Sequence, residues 1–150
     1  MRNAIIVDAS VVLKWVIDED NSDKATALLS RWFVEGTVIL APVLLIYEVT
    51  NAIYQHVRRG ELFLDDAKQT LDNALLAFLE LDSPVDSSLS RRAMELAQQH
   101  RLPATYDAHY LALAEREQCE YWTADTRLWN AVKGKLAWVR WLDDYQPDVS

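Results

Sequence analysis

Apolar residues in this chain fall into short unbroken runs, separated by longer stretches in which they recur every three or four positions. The runs Ala4–Val7, Val38–Ala41, Tyr121–Thr123 and Leu136–Arg140 predict buried strands, and a weaker run lies near Phe78–Leu81. The stretches between them predict helices. Ser10–Ile17 is a short one, and Ser22–Val34 a longer one stopped near Gly36. Pro42 suits the first turn of a helix running to about Arg59, with Gly60 just past its end. Asp65 can cap a helix through about Ala77, and Ser87 or Ser88 one that runs to about His100. Thr105–Glu117 and Thr126–Lys133 complete the set, and Tyr145–Ser150 reads as a loose tail. Strands that alternate with helices predict a parallel sheet covered on both faces. In such sheets the ligand crevice lies beyond the carboxyl ends of the strands, where the strand order reverses. No repeat, low-complexity tract or linker divides the 150 residues, so a single domain is expected.

Composition narrows the picture. Hydrophobic residues make up 51% of the chain, enough for a core and unlike a disordered segment. The formal net charge of −8 argues against gripping nucleic acid by a basic footprint, and is neutral on a nuclease whose bound cations offset charge locally. The single Cys119 cannot form an intramolecular disulfide, which fits a reducing, cytoplasmic setting. The N-terminal apolar run is broken at Asp8, too soon for a signal segment, and no apolar run reaches membrane-spanning length.

Against this background three acids are out of place. Asp8 is the only charge between Arg2 and Lys14. Glu48 is the only formal charge between Glu35 and Arg58, His56 aside. Asp107 is the only one between Arg101 and Glu115, leaving His109 aside. A carboxylate set in core-forming sequence costs desolvation energy and needs a partner. Asp125 follows the run Tyr121–Thr123 directly, so Asp8 and Asp125 end strands while Glu48 and Asp107 lie early in helices. All can therefore converge at one sheet edge. Such a cluster repels itself when empty and suits a hard cation, Mg²⁺ or Mn²⁺ rather than Zn²⁺. Each acid also has a plainer explanation. Asp8, Asp107 and Asp125 each precede a helix and could be simple N-caps, and Glu48 could sit in a buried ion pair with an Arg or Lys.

The segments IIVDASVVLKW, APVLLIYEVTNAI, LPATYDAHYLALAE and YWTADTRLW, around Asp8, Glu48, Asp107 and Asp125, together resemble PIN domains, and within them the bacterial VapC toxins. They occur in that family's order, and with the helices between them they cover nearly the whole chain. The resemblance implies a Rossmann-like, three-layer α/β/α PIN domain around a parallel sheet of about five strands. It further implies that Asp8, Glu48, Asp107 and Asp125 hold Mg²⁺ or Mn²⁺ and cut RNA. A homodimer and a small antitoxin partner that blocks the site are implied as well. Ser10 and Thr123 stand where the family often has a hydroxyl, and could steady a carboxylate or a water. Lys14, one turn after Ser10, could face a phosphate or simply be solvated.

Other residues rank lower. His56, His100 and His109 share no metal-site spacing, and Arg58–Arg59 and Arg91–Arg92 suit a solvated helix face about as well as RNA phosphates. Trp129, Trp138 and Trp141 read as core or interface anchors. For the dimer contact the helices Leu44–Arg59 and Asp65–Leu79 are favoured. Two other phosphoryl-transfer families fit less well. A haloacid-dehalogenase-type phosphatase resembles the chain in its acid after the first strand but needs a second Asp where Ser10 stands, and a receiver domain explains neither Glu48 nor Asp107. A PIN scaffold that binds RNA or a protein without cutting is the reading from another class.

Overall fold

In the computed structural model, which describes residues 3–75 and 79–147, β1 (Ala4–Val7) forms the centre of a parallel sheet. It is flanked by β2 (Val38–Pro42) and β4 (Glu120–Thr123), with β3 (Leu79–Asp82) and β5 (Val139–Trp141) at the edges. Every described strand pair is parallel, so the order is β3-β2-β1-β4-β5. Burial explains the sequence pattern. All of β1 is buried, as is β2 from Ile39 onward, and both read as continuous apolar runs. At the edge, β3 is only half-buried, which is why its sequence signal is weak. Phe78, expected at its start, lies outside the described residues.

The helices are α1 (Ala9–Val16), α2 (Ser22–Glu35), α3 (Leu44–Arg58), α4 (Leu64–Leu75), α5 (Ser88–Gln99), α6 (Tyr106–Glu117) and α7 (Thr126–Val132). They cover both faces of the sheet in three layers. Helix α6 packs across β1, β2 and β4 with α5 against it, while α1 contacts α2, α3 and α4. Helix α6 is buried along Ala108 and Tyr110–Ala114, a nearly all-round apolar surface that only an internal position permits.

Three boundaries differ from expectation. Pro42 ends β2 instead of opening the next helix. At the last strand position its missing N–H costs no ladder bond, and the chain continues with Val43 N donating to Asp82 O at 3.1 Å. Strand β5 begins at Val139, not Leu136. The intervening residues are used in a turn, entered through Gly134 at φ +75° and held by Leu136 N to Val132 O at 3.1 Å and Val139 N to Leu136 O at 3.2 Å. Tyr145, expected in a loose tail, packs edge-on against Trp122 with ring centroids 5.9 Å apart, after a 3₁₀ turn over Leu142–Asp144. Residues 148–150 of that expected tail, and the expected helix end at Ala77, lie outside the described residues.

Candidate active site

Strand order reverses beside β1: the chain builds outward through β2 and β3, then returns to lay β4 on the other side of β1. The crevice of a parallel sheet opens at such a point. Asp8 follows β1 directly and caps α1; Asp125 stands two residues beyond β4 and caps α7. The register sets Val7 beside Trp122, which brings Asp8 level with Thr123. Glu48 comes in from the first turns of α3 and Asp107 from the first turn of α6.

Asp8 is buried and held from several sides. One oxygen accepts from the Ser10 backbone N–H at 3.1 Å and from the Ser10 hydroxyl. The other accepts from the Tyr121 hydroxyl and the Thr123 hydroxyl, each at 2.6 Å. Both small hydroxyls also accept. Ser10 Oγ takes the Ala124 N–H at 2.8 Å, and Thr123 Oγ1 takes the Asp125 N–H at 3.0 Å, so the same groups that hold Asp8 fasten the loop carrying Asp125. Asp125 Oδ1 accepts from the N–H groups of Arg127 and Leu128 at 2.9 and 3.2 Å, an N-cap as well as a candidate ligand. Glu48 Oε1 accepts from the Tyr110 hydroxyl at 2.6 Å.

The acids feel one another. Burial, then the charges of Asp8, Asp125 and Glu48, push the Asp107 carboxyl up to about 7. Burial raises Glu48 as well, the Tyr110 hydrogen bond opposing and the charges of Asp8 and Asp125 adding to it. Burial raises Asp8 against the pull of three hydroxyl donors. Among the described residues no Lys, Arg or His forms an ion pair with any of these acids. The partner of Glu48 is therefore a tyrosine and not the Arg or Lys of a buried ion pair.

The PIN domain profile matches residues 5–135. Ribonuclease VapC3 of Pyrobaculum aerophilum is 32% identical over 124 residues, spanning 83% of this chain and 91% of that protein. The chain belongs to the PIN-domain family. Solved structures agree on the fold of this PIN domain. PAE2754 from Pyrobaculum aerophilum superposes with a TM-score of 0.65 at 26% identity, covering 95% of this chain and 93% of that one. A toxin–antitoxin complex from Klebsiella pneumoniae gives 0.60 at 16% identity, covering 91% and 95%. Mycobacterium tuberculosis VapC20, described as a sarcin-ricin loop cleaving toxin, gives 0.57 at 16% identity, covering 80% and 87%.

Within this PIN domain the supporting residues divide. Ser10 and Thr123 touch Asp8. Lys14 does not reach the acids: its Nζ donates to the Asp20 carbonyl at 2.7 Å, in the turn between α1 and α2. His109 is tied to Thr105 O and Ser90 Oγ, and His56 to Glu61, so both act in packing and surface contacts. Trp129 and Trp141 stack on each other with centroids 5.9 Å apart. Tyr110 and Tyr121 are contacts that sequence reasoning passed over. The available signal was position: Tyr110 is one helical turn beyond Asp107, and Tyr121 shares a strand face with Thr123.

A hard divalent cation suits the donors, which are all carboxylate oxygens. Glu48 Oε2, both Asp107 oxygens and Asp125 Oδ2 accept no hydrogen bond among the described residues and are not sealed from solvent. As they stand, no three acidic, His or Cys side chains among the described residues form a ready cage. A cation would have to draw the open oxygens together against their mutual repulsion.

Proposed function

We propose that this chain is a Mg²⁺- or Mn²⁺-dependent endoribonuclease of the VapC type, the toxin of a toxin–antitoxin pair, acting in the cytoplasm. The observation that carries this reading is the convergence of Asp8, Glu48, Asp107 and Asp125 at the switch point of the sheet with no protein cation beside them among the described residues. Membership of the PIN-domain family and the ribonuclease named among its relatives support the substrate class.

Glu48, Asp107 and Asp125 would hold the cation through their open oxygens, with Asp8 closing the site from below. When bound, the cation supplies Lewis-acid stabilisation of phosphate charge and makes a bound water more acidic. The protein residues supply the rest. Asp107, with both oxygens unengaged among the described residues, is best placed to orient the attacking water and take its proton. As the water oxygen bonds to phosphorus, the bond to the leaving ribose oxygen breaks; that oxygen takes up a proton from solvent, and the proton held by Asp107 is released to solvent. Ser10 and Thr123 keep Asp8 and Asp125 in register while charge shifts across the site. Among the described residues, no Ser–His–Asp or Cys–His arrangement competes for the role of nucleophile.

The reading extends to assembly. Tyr47, Tyr54, Phe63 and Leu64 on and between α3 and α4 are exposed, and a small groove of about 140 Å³ runs between those helices along Ile53, Val57, Ala67 and Leu71. This surface fits a homodimer contact together with an antitoxin segment, and sedimentation at micromolar concentration should show a dimer.

The deciding experiment is cleavage of mixed RNA with Mg²⁺, with Mn²⁺ and with chelator, for wild type and Asp8→Asn. Chelator should abolish cleavage. The variant should lose at least about 100-fold, equivalent to roughly 2.7 kcal/mol of transition-state stabilisation. RNA binding without cleavage under every condition would identify a non-catalytic scaffold instead.

A further inference from the structure

Two buried tyrosines donate their hydroxyls to different carboxylates of the site. Tyr110 comes from α6 and Tyr121 from β4. Both are fully buried, and their rings stack with centroids 5.7 Å apart and planes at 24°. Stacking of rings from separate elements leaves each hydroxyl little freedom. Tyr110 donates to Glu48 Oε1 and Tyr121 to Asp8 Oδ2, both at 2.6 Å.

We propose that Tyr110 and Tyr121 are positioning residues, a stacked pair whose hydroxyls set the Glu48 carboxylate in the orientation that receives a divalent cation and fix the buried Asp8 carboxylate beside it. The proposal rests on the metal-dependent reading above and deepens it. A buried phenol needs an acceptor, and a backbone carbonyl would satisfy that need without consequence for the site; here both phenols use carboxylates. A hydroxyl is also a neutral donor. An Arg or Lys in the same place would hold the carboxylates equally well but cancel the charge that a cation requires. Tyr110 engages one oxygen of Glu48 and leaves Oε2 open, so it fixes the direction of the ligand without using it up. The pair also joins the two acids through one continuous set of contacts, Glu48–Tyr110–Tyr121–Asp8.

The two positions are not equivalent. Tyr110 is the only hydrogen-bond donor to Glu48 among the described residues, whereas Asp8 keeps Ser10 and Thr123 if Tyr121 is lost. Tyr110→Phe should therefore weaken cation binding by about tenfold or more, the usual cost of removing a group that orients a ligand, and Tyr121→Phe by less.

The test is calorimetric titration of Mn²⁺ into the metal-free protein, with melting curves in chelator to confirm folding. It is run on wild type, Tyr110→Phe, Tyr121→Phe, Glu48→Gln and the double variant Glu48→Gln/Tyr110→Phe. In the Glu48→Gln background the tyrosine substitution should have no further effect on affinity. A merely structural role would instead carry the same penalty into both backgrounds. Tyrosine variants that bind Mn²⁺ within about twofold of wild type would overturn the proposal and leave the metal-dependent reading standing. A wild type that binds no Mn²⁺ would overturn both.

Discussion

Asp107 is the residue on which the crowding of charge is most visible. Its carboxyl is pushed up to about 7, first by burial and then by Asp8, Asp125 and Glu48. In the unfolded chain it returns to about 3.9. Between those values the folded protein binds more protons than the unfolded one, so Asp107 makes stability fall as pH rises from about 4 to about 7. Asp107→Asn removes that penalty. In chelator, the melting temperature of the variant should gain on wild type across this window, with little difference near pH 4. Saturating Mg²⁺ should narrow the gap at pH 7, because the cation relieves the same repulsion in the wild type. A gap that stays constant from pH 4 to 8 would mean that Asp107 is not held among like charges.

Helices α5 and α6, which pack on each other, give two checks at the next scale. Ala112 in α6 is buried. Ala112→Leu should overpack the core and cost about 1–3 kcal/mol, read as a lower urea midpoint at unchanged slope. His100, at the C-terminus of α5, is buried with neither ring nitrogen partnered among the described residues. Its pKa is lowered, chiefly by burial, with smaller contributions from the charges of Lys135 and Arg92. The unfolded state therefore binds the extra proton first, and stability is lost as pH falls below about 6.5, opposite in sign to the Asp107 effect. His100→Gln should flatten that acid limb in urea midpoints measured at pH 5 and pH 7.

At the level of the whole molecule, charge and ligand linkage make the predictions. The net charge is −8, and Arg31, Arg59, Arg92, Arg116 and Arg140 are already engaged with carboxylates. The excess of acids over bases limits the number of phosphates the protein can neutralise, so RNA cleavage at subsaturating substrate should fall by less than about tenfold between 50 and 200 mM salt, shallower than for a basic nuclease. A cation that binds only the folded chain stabilises it by about 1.4 kcal/mol at tenfold excess over its Kd, about 3–6 °C for a chain of this size. Wild type should show that rise in Mg²⁺ and Asp8→Asn should show less of it.

The hydrophobic pattern by itself determined the strands, the helices between them and the parallel three-layer arrangement, because buried strands and amphipathic helices leave different periods in the chain. It also marked Asp8, Glu48 and Asp107, since a lone charge inside core-forming sequence is visible without coordinates. Strand edges and turns were decided elsewhere. Pro42 reads equally as a helix opener or a strand end, and pairing with β3 chose the second; Leu136 was drawn into a turn, and Tyr145 was pulled from the expected tail onto Trp122. The partners of the acids belong to the tertiary structure alone. A tyrosine in an apolar run looks like any core residue until the crossover from β3 to β4 sets Tyr121 beside Asp8 and α6 carries Tyr110 to Glu48. Lys14 shows the converse: spacing placed it near the site, and an open carbonyl at Asp20 took its ammonium away. Periodicity is written by neighbours along the chain, whereas a buried donor's choice of acceptor depends on which residues the sheet order brings within 3 Å of it.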